Sequence, residues 1–86
     1  MSDFYFSISA EEIKREKSKA RELRKTQWWR QQIGPGLCYH CGQKVPADTL
    51  TMDHLLPISR GGKSVKKNCV PACKPCNTAK SASILG

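Results

Sequence analysis

The sequence is short of apolar residues and contains no long hydrophobic run. Only 38% of its 86 residues are hydrophobic, and no apolar stretch approaches the roughly 20 residues that span a bilayer. The N-terminus also lacks a basic stretch followed by an apolar segment, so we expect no signal peptide and a cytoplasmic protein of prokaryotic or phage type. A chain this short buries only about 60% of its unfolded surface, so a single small domain needs stabilisation beyond its apolar core.

Acidic residues are also few. The chain has 7 Asp and Glu residues against 15 Lys and Arg residues, which gives a formal net charge of +8. An excess of this size suits a polyanionic partner, and nucleic acid is the commonest one. A basic surface that only keeps the protein soluble is the alternative, so charge alone favours a nucleic-acid partner only modestly.

The first part of the chain is predicted to be a flexible arm (residues 1–8) followed by a basic helix (residues 9–33). Ser9 begins a capping box with Glu12, which marks a helix start. Good helix formers then continue without Pro or Gly until Gly34, so we predict one continuous helix.

Basic residues outnumber acidic ones along this helix. Such a helix is often only a solvated face, but beside a nucleic-acid site its cations would contact phosphates. The candidates are Lys14, Lys17, Arg21, Arg24 and Lys25. Trp29 either stacks on a base or packs against the zinc core, and the sequence leaves both interpretations open.

The remaining segment, residues 34–86, is predicted to carry the chemistry. An alternating apolar pattern indicates a short strand that runs into His54, and Gly61-Gly62 marks a turn. A second strand is predicted over Asn68–Ala72. A final helix is predicted over Pro75–Ser83, since proline is tolerated in a first helical turn.

Four cysteines form two knuckles with metal-ligand spacing. Cys38-x-x-Cys41 and Cys73-x-x-Cys76 can together give a tetrahedral four-sulfur shell, which usually means Zn²⁺. Disulfides and an iron–sulfur cluster are the alternatives, and a reducing compartment weighs against disulfides. A shell of four cysteines has no open position, so the zinc is predicted to be structural. The fifth cysteine, Cys69, is predicted to be a small buried hydrophobe.

The spacing between the knuckles indicates that a sizeable element lies between them. Thirty-one residues separate Cys41 from Cys73, more than the roughly 15–20 of a plain zinc ribbon. We expect His40, inside the first knuckle, only to occupy the turn, without a catalytic role.

The order of the remaining motifs is more specific than any one of them. Asp53-His54-Leu55-Leu56-Pro57 is followed by Gly61-Gly62, by Asn68, and by Cys73-x-x-Cys76-Asn77-x-x-Lys80. This pattern closely resembles the HNH endonuclease family over nearly all of residues 38–80. The resemblance implies a small α+β fold: a ββα-metal core that holds one catalytic divalent ion, buttressed by a four-cysteine zinc site and preceded here by the basic helix.

The resemblance also implies roles for four residues. His54 corresponds to the general base that deprotonates a water, and Asp53 and Asn77 correspond to ligands of the catalytic ion. Asn68 would hydrogen-bond within the loop and orient His54. The expected reaction is hydrolysis of DNA, in nicking or double-strand form, to 5′-phosphate and 3′-hydroxyl ends.

Elementary chemistry agrees with these roles. Attack on an anionic phosphodiester needs an activated water and a cation that absorbs charge, and the pKa of histidine, about 6.5, suits a general base. Many relatives have a second histidine where this chain has Asn77. Oxygen ligands favour Mg²⁺ or Mn²⁺ over Zn²⁺ at the catalytic position.

Further cations surround this constellation and are candidates for DNA phosphate contacts. They are Arg60, Lys63, Lys66, Lys67 and Lys80. We therefore expect double-stranded DNA as the partner, no membrane association, and a monomer or weak dimer. A non-catalytic zinc-ribbon module that binds nucleic acid is the alternative, and an adaptor for a protein partner explains less of the charge.

Overall fold

The computed structural model of the protein describes residues 9–85, with side chains up to residue 79. The predicted N-terminal arm, residues 1–8, lies outside the described residues. The fold is small α+β, as predicted, with two strands that form a ββα unit with the last helix. In chain order, the helices and strands are α1 (Ala10–Arg24), α2 (Gln27–Ile33), β1 (Thr51–His54), β2 (Cys69–Ala72) and α3 (Lys74–Leu85).

The predicted N-terminal helix begins where expected but is divided in two. Ser9 Oγ accepts from the Glu12 amide at 3.1 Å, and the Glu12 carboxylate accepts from the Ser9 amide, which completes the capping box. The continuous helix predicted over residues 9–33 is wrong, because Thr26 is extended (φ −81°, ψ 157°) and caps α2 through a 3.3 Å bond from the Trp29 amide. A threonine hydroxyl that can cap a new helix competes with continuation of the old one.

This break decides which helical side chains are buried. Trp29 is only 4% exposed, on a helix that lies against β2, so it packs in the domain and is not available to stack on a base. Trp28 is half-buried, with Lys66 Nζ 5.9 Å from its ring centre. On α1, Ala20 and Glu16 are buried, and this helix contacts the short 3₁₀ turn Ile58–Arg60.

The two strands pair antiparallel, with Thr51 opposite Ala72 and His54 opposite Cys69. Both predicted strands are confirmed, although the second begins at Cys69 because Asn68 ends a 3₁₀ turn. Successive strand residues project to opposite faces. Asp53 and Thr51 therefore share one face of β1, and His54 lies on the other.

The connection between the strands depends on the predicted glycine turn. Gly61 has a left-handed φ of +93°, and the Gly62 amide donates to the Pro57 carbonyl at 2.8 Å. A Cβ atom at Gly62 would overlap the Leu56 carbonyl oxygen, so only glycine fits there. The turn lies just before Ser64, whose hydroxyl contacts His54 at the end of β1.

The apolar core of the described residues is small and centres on the cysteine knuckles. Cys38, Ala72 and Cys73 form one buried cluster, with Val45 and Cys76 packed against it. The prediction for Cys69 is confirmed, since its side chain is 2% exposed and burial raises the pKa of its thiol. No helix in the described part of the chain has the length and apolarity to cross a membrane.

Candidate active site

The four knuckle cysteines converge in one cluster. Cys38 and Cys41 lie on a tight turn, whereas Cys73 follows β2 and Cys76 lies in the first turn of α3. Their sulfur atoms all lie within 4.8 Å of one another, and Cys41 and Cys73 are separated by 3.9 Å. Two sulfurs on a tetrahedral zinc ion with bonds of about 2.3 Å lie about 3.8 Å apart, so the spacing fits zinc.

The surroundings of these thiols favour a bound cation. Burial opposes ionisation of Cys38, but backbone N–H groups of Cys41, Cys73 and His40 point at its sulfur and lower its pKa to about 6. Hydrogen bonds from Cys76 to the neighbouring sulfurs of Cys73 and Cys41 raise its pKa to about 12. The Cys38 thiolate thus forms readily while Cys76 resists ionisation, and a divalent cation would offset the charge of four thiolates.

Asp53 is a buried carboxylate that receives a hydrogen bond from the first knuckle. Its side chain is 7% exposed, and its Oδ2 atom lies 2.6 Å from His40 Nε2. An ionised carboxylate can only accept, so His40 is the donor in that state. The expectation that His40 only fills a turn is therefore incomplete, because its ring contacts the predicted metal ligand.

His54 is supported from the opposite face of the strand. Its Nε2 atom lies 2.9 Å from the hydroxyl of Ser64, a buried residue just beyond the glycine turn. Ser64 in turn is bonded to Glu16 on α1, through its amide at 2.6 Å and its hydroxyl at 2.7 Å. A residue of the N-terminal helix is thus connected to the predicted general base.

Asn68 closes the loop that follows β1, and its predicted role in orienting His54 stays a prediction. Its side-chain oxygen accepts from the Leu56 amide at 2.9 Å, and its Nδ2 donates to the carbonyls of Leu56 and Lys63 at 3.0 and 2.9 Å. The Asn68 carbonyl also accepts from the Leu55 amide. These bonds fix the backbone on both sides of the segment that leads away from His54.

Asn77 lies on α3 and contacts the Asp53 face of β1. Its Nδ2 atom donates to Thr51 Oγ1 at 2.8 Å, and that hydroxyl donates to the Ala72 carbonyl at 2.9 Å. Because the Thr51 proton is committed to a carbonyl, the hydroxyl must accept from Asn77, which sets the orientation of the amide. Asn77 Oδ1 is therefore the atom that it can offer to a cation.

The predicted phosphate contacts lie on the connection between the strands and are exposed where side chains are described. They are Arg60, Lys63, Lys66 and Lys67. The side chain of Lys80 lies outside the described residues. On α1 and just beyond it, Lys14, Lys17, Arg21, Arg24 and Lys25 are also exposed.

Of the predicted catalytic residues, Asp53 and His54 lie on β1, Asn68 directly precedes β2, and Asn77 lies on α3. The structure adds three residues that the sequence did not indicate. These residues are His40, Ser64 and Glu16. None of them belongs to a sequence motif, so only its contacts in the folded chain identify each one. A weak signal existed for Glu16, which lies four positions before Ala20 and so shares the buried face of α1.

Comparison with known proteins places this site in a family. A family model described as HNH endonuclease matches residues 38–83, more than half of the chain. Over 55 residues the chain is 33% identical to the type IV methyl-directed restriction enzyme EcoKMcrA of Escherichia coli (strain K12). The alignment covers 57% of this chain and 20% of that enzyme. The chain thus spans about 20% of that relative's length. Since the matched segment includes both cysteine knuckles, both strands and most of α3, this chain belongs to the HNH endonuclease family.

Proposed function

We propose that the protein is a metal-dependent endonuclease that hydrolyses phosphodiester bonds of double-stranded DNA. One observation carries the proposal: Asp53 and His54 are adjacent at the end of β1, and each is held by its own side-chain hydrogen bond. A buried carboxylate and a fixed imidazole in consecutive residues provide a cation ligand and a proton acceptor at the end of one strand.

His54 acts as the general base. A water oxygen attacks the phosphorus atom while the imidazole accepts one proton of that water. The bond from phosphorus to the 3′ oxygen breaks, and that oxygen takes a proton from solvent. The products carry a 5′-phosphate and a 3′-hydroxyl.

The Asp53 carboxylate and Asn77 Oδ1 would hold the catalytic ion, and His40 orients the carboxylate. When bound, the ion stabilises the negative charge that develops on the phosphate. Two oxygen donors are a hard ligand set, which favours Mg²⁺ or Mn²⁺.

The other residues of the HNH-like pattern support this centre. Asn68 holds the loop beyond His54, and the zinc knuckles fix β2 and α3 against β1. Exposed cations on the connection between the strands, with Lys80, contact phosphates without reading bases. A monomer carries one such centre and makes one cut per encounter, so nicking is the primary activity.

Plasmid cleavage tests the proposal. Supercoiled plasmid is incubated with the protein and Mg²⁺, Mn²⁺ or Zn²⁺, and nicked and linear products are quantified by gel. We expect nicking with Mg²⁺ or Mn²⁺, little with Zn²⁺ alone, and a loss of roughly 10²–10⁴-fold in His54→Ala, the range typical of a lost general base.

The control is Asp48→Asn, a change at an exposed residue of the 3₁₀ turn before β1, which should cleave like the wild type. Zinc content and DNA affinity are measured for every variant. Unchanged cleavage by His54→Ala would remove His54 from the mechanism. DNA binding without cleavage by the wild type would favour a non-catalytic binding module.

A further inference from the structure

Glu16 is a buried acid on α1 whose carboxylate contacts the connection between the strands, through Ser64, and its own helix, through Lys19. The residue is 4% exposed. Its Oε1 atom accepts from the Ser64 amide at 2.6 Å, and its Oε2 atom lies 3.3 Å from Lys19 Nζ. Burying a carboxylate is costly unless it is bonded in this way, so the two partners make the position tolerable.

The hydroxyl of Ser64 has only one proton, and the structure shows where it goes. Ser64 Oγ lies 2.7 Å from the backbone carbonyl oxygen of Glu16, which can only accept. The hydroxyl must therefore donate to Glu16. Its remaining contact, at 2.9 Å from His54 Nε2, must then be one in which the hydroxyl accepts.

This direction determines which nitrogen of His54 carries the proton. Nε2 must be protonated to donate to Ser64 Oγ. A neutral imidazole has a single N–H, so its basic lone pair is on Nδ1. The chain from Glu16 through Ser64 thus selects one of the two tautomers of His54 and fixes the plane of its ring.

We propose that Glu16 and Ser64 are positioning residues for the general base, and that α1 is thereby a part of the active site. The inference rests on the proposed role of His54. Helix α1 lies outside residues 38–83, the segment that the family model matches. Through Ser64, this helix holds the proton on Nε2 of His54, so that Nδ1 accepts the proton of the attacking water.

A purely structural role for these residues makes a different prediction. If Glu16 and Ser64 only dock α1 onto the loop, then their substitution would change the fraction of folded protein. Positioning affects the tautomer of His54 and the rate of the chemical step in protein that is fully folded. A histidine in the wrong tautomer or orientation loses much of its activity as a base.

The test combines nitrogen NMR with cleavage kinetics on the full chain loaded with zinc. The ¹⁵N signals of His54 are recorded at about pH 8.5, two units above the usual histidine pKa of about 6.5. We expect the wild type to show the Nε2–H tautomer. In Ser64→Ala, we expect a mixture of tautomers and a single-turnover rate lower by roughly 10–100-fold, with DNA affinity unchanged.

Further variants separate positioning from folding. Glu16→Gln keeps an oxygen that can accept from the Ser64 amide, so it should retain the tautomer and most of the rate, whereas Glu16→Ala should lose part of both. Ser59→Ala, an exposed serine of the same connection, is the matched control. All rates are compared at equal folded fraction.

The outcomes are distinct. A single Nε2–H tautomer and a wild-type rate in folded Ser64→Ala would overturn the positioning role, while leaving His54 as the base. If the wild type does not cleave, or His54→Ala cleaves equally well, the proposed function fails. The NMR comparison needs no turnover, so in that case it still decides whether Ser64 sets the tautomer.

Discussion

Asp53 and His54 are neighbours in β1, yet they depend on different parts of the molecule. Asp53 faces the zinc knuckles and is bonded by His40, whereas His54 faces the loop and α1 and is bonded by Ser64. The first support lies inside the matched segment, residues 38–83, and the second continues to Glu16 outside it. The matched segment therefore contains both proposed reacting groups, while the chain of hydrogen bonds that reaches His54 extends to the preceding helix.

Removal of zinc should have the largest effect, because the buried core cluster of the described residues is built from the knuckle cysteines. A structural zinc site contributes on the order of 10 kcal/mol of binding free energy, which is comparable with the total stability of a small domain. We expect a strong chelator to unfold the protein, as measured by circular dichroism, and added Zn²⁺ to restore it. Mg²⁺ should not restore it. A chelated protein that keeps its fold and its slow amide exchange at β1 would contradict a structural role.

Much of this architecture was predictable because it depends on local spacing. The C-x-x-C pairs predicted the four-sulfur cluster, the alternation before His54 predicted β1, and Gly62 marked a turn that only glycine can make. The Ser9 capping box likewise predicted the start of α1. Each of these depends on residues a few positions apart, and short-range geometry links pattern to structure directly.

What the sequence did not reveal depends on packing between distant segments. His40 and Asp53 are 13 positions apart, and Glu16 and Ser64 are 48 apart, so only the folded chain shows that they pair. A glutamate on a basic helix looks like any solvated acid until its burial is known. The break at Thr26 was missed for a related reason, since strong helix formers on both sides outweighed one threonine.

Loss of the His40 contact with Asp53 and loss of the Ser64 contact with His54 should change different kinetic parameters. His40→Ala removes the donor that orients Asp53, so we expect the Mg²⁺ or Mn²⁺ concentration for half-maximal cleavage to rise by about 10–100-fold, with little change in the rate at saturation. His40→Gln, which retains a donor, should recover part of the affinity. Metal titrations of plasmid nicking measure both quantities.

Gln43→Ala, a change at an exposed residue just after the same knuckle, is the control for this prediction, and zinc content is measured in parallel. Ser64→Ala should show the reverse pattern, with a lower rate at saturating metal and an unchanged half-maximal concentration. If His40→Ala and Ser64→Ala alter the same parameter, then Asp53 and His54 do not have separate supports.

We expect the smallest effect from Glu16→Gln, which should change the free energy of unfolding. The Ser64 amide is the main cause that lowers the pKa of Glu16 below its ordinary value of 4.5, with Lys19 and Lys63 adding to it against the cost of burial. A lowered pKa in the folded state means that the ionised carboxylate stabilises the fold above about pH 4.5. That contribution is lost as the pH falls through the lower folded-state pKa.

Near neutral pH, Glu16→Gln should therefore be less stable than the wild type by about 1 kcal/mol, since a charged hydrogen bond is replaced by a neutral one. The difference should shrink as the pH falls below 4.5, the ordinary pKa of the carboxyl. Urea unfolding with zinc present measures it, and Glu22→Gln on the exposed face of α1 is the control. Acid release of zinc acts on all three proteins alike, so the difference between them reports Glu16. A difference that stays constant with pH would mean that folding leaves the pKa of Glu16 unchanged, and the link from α1 to His54 would then be weaker than its geometry indicates.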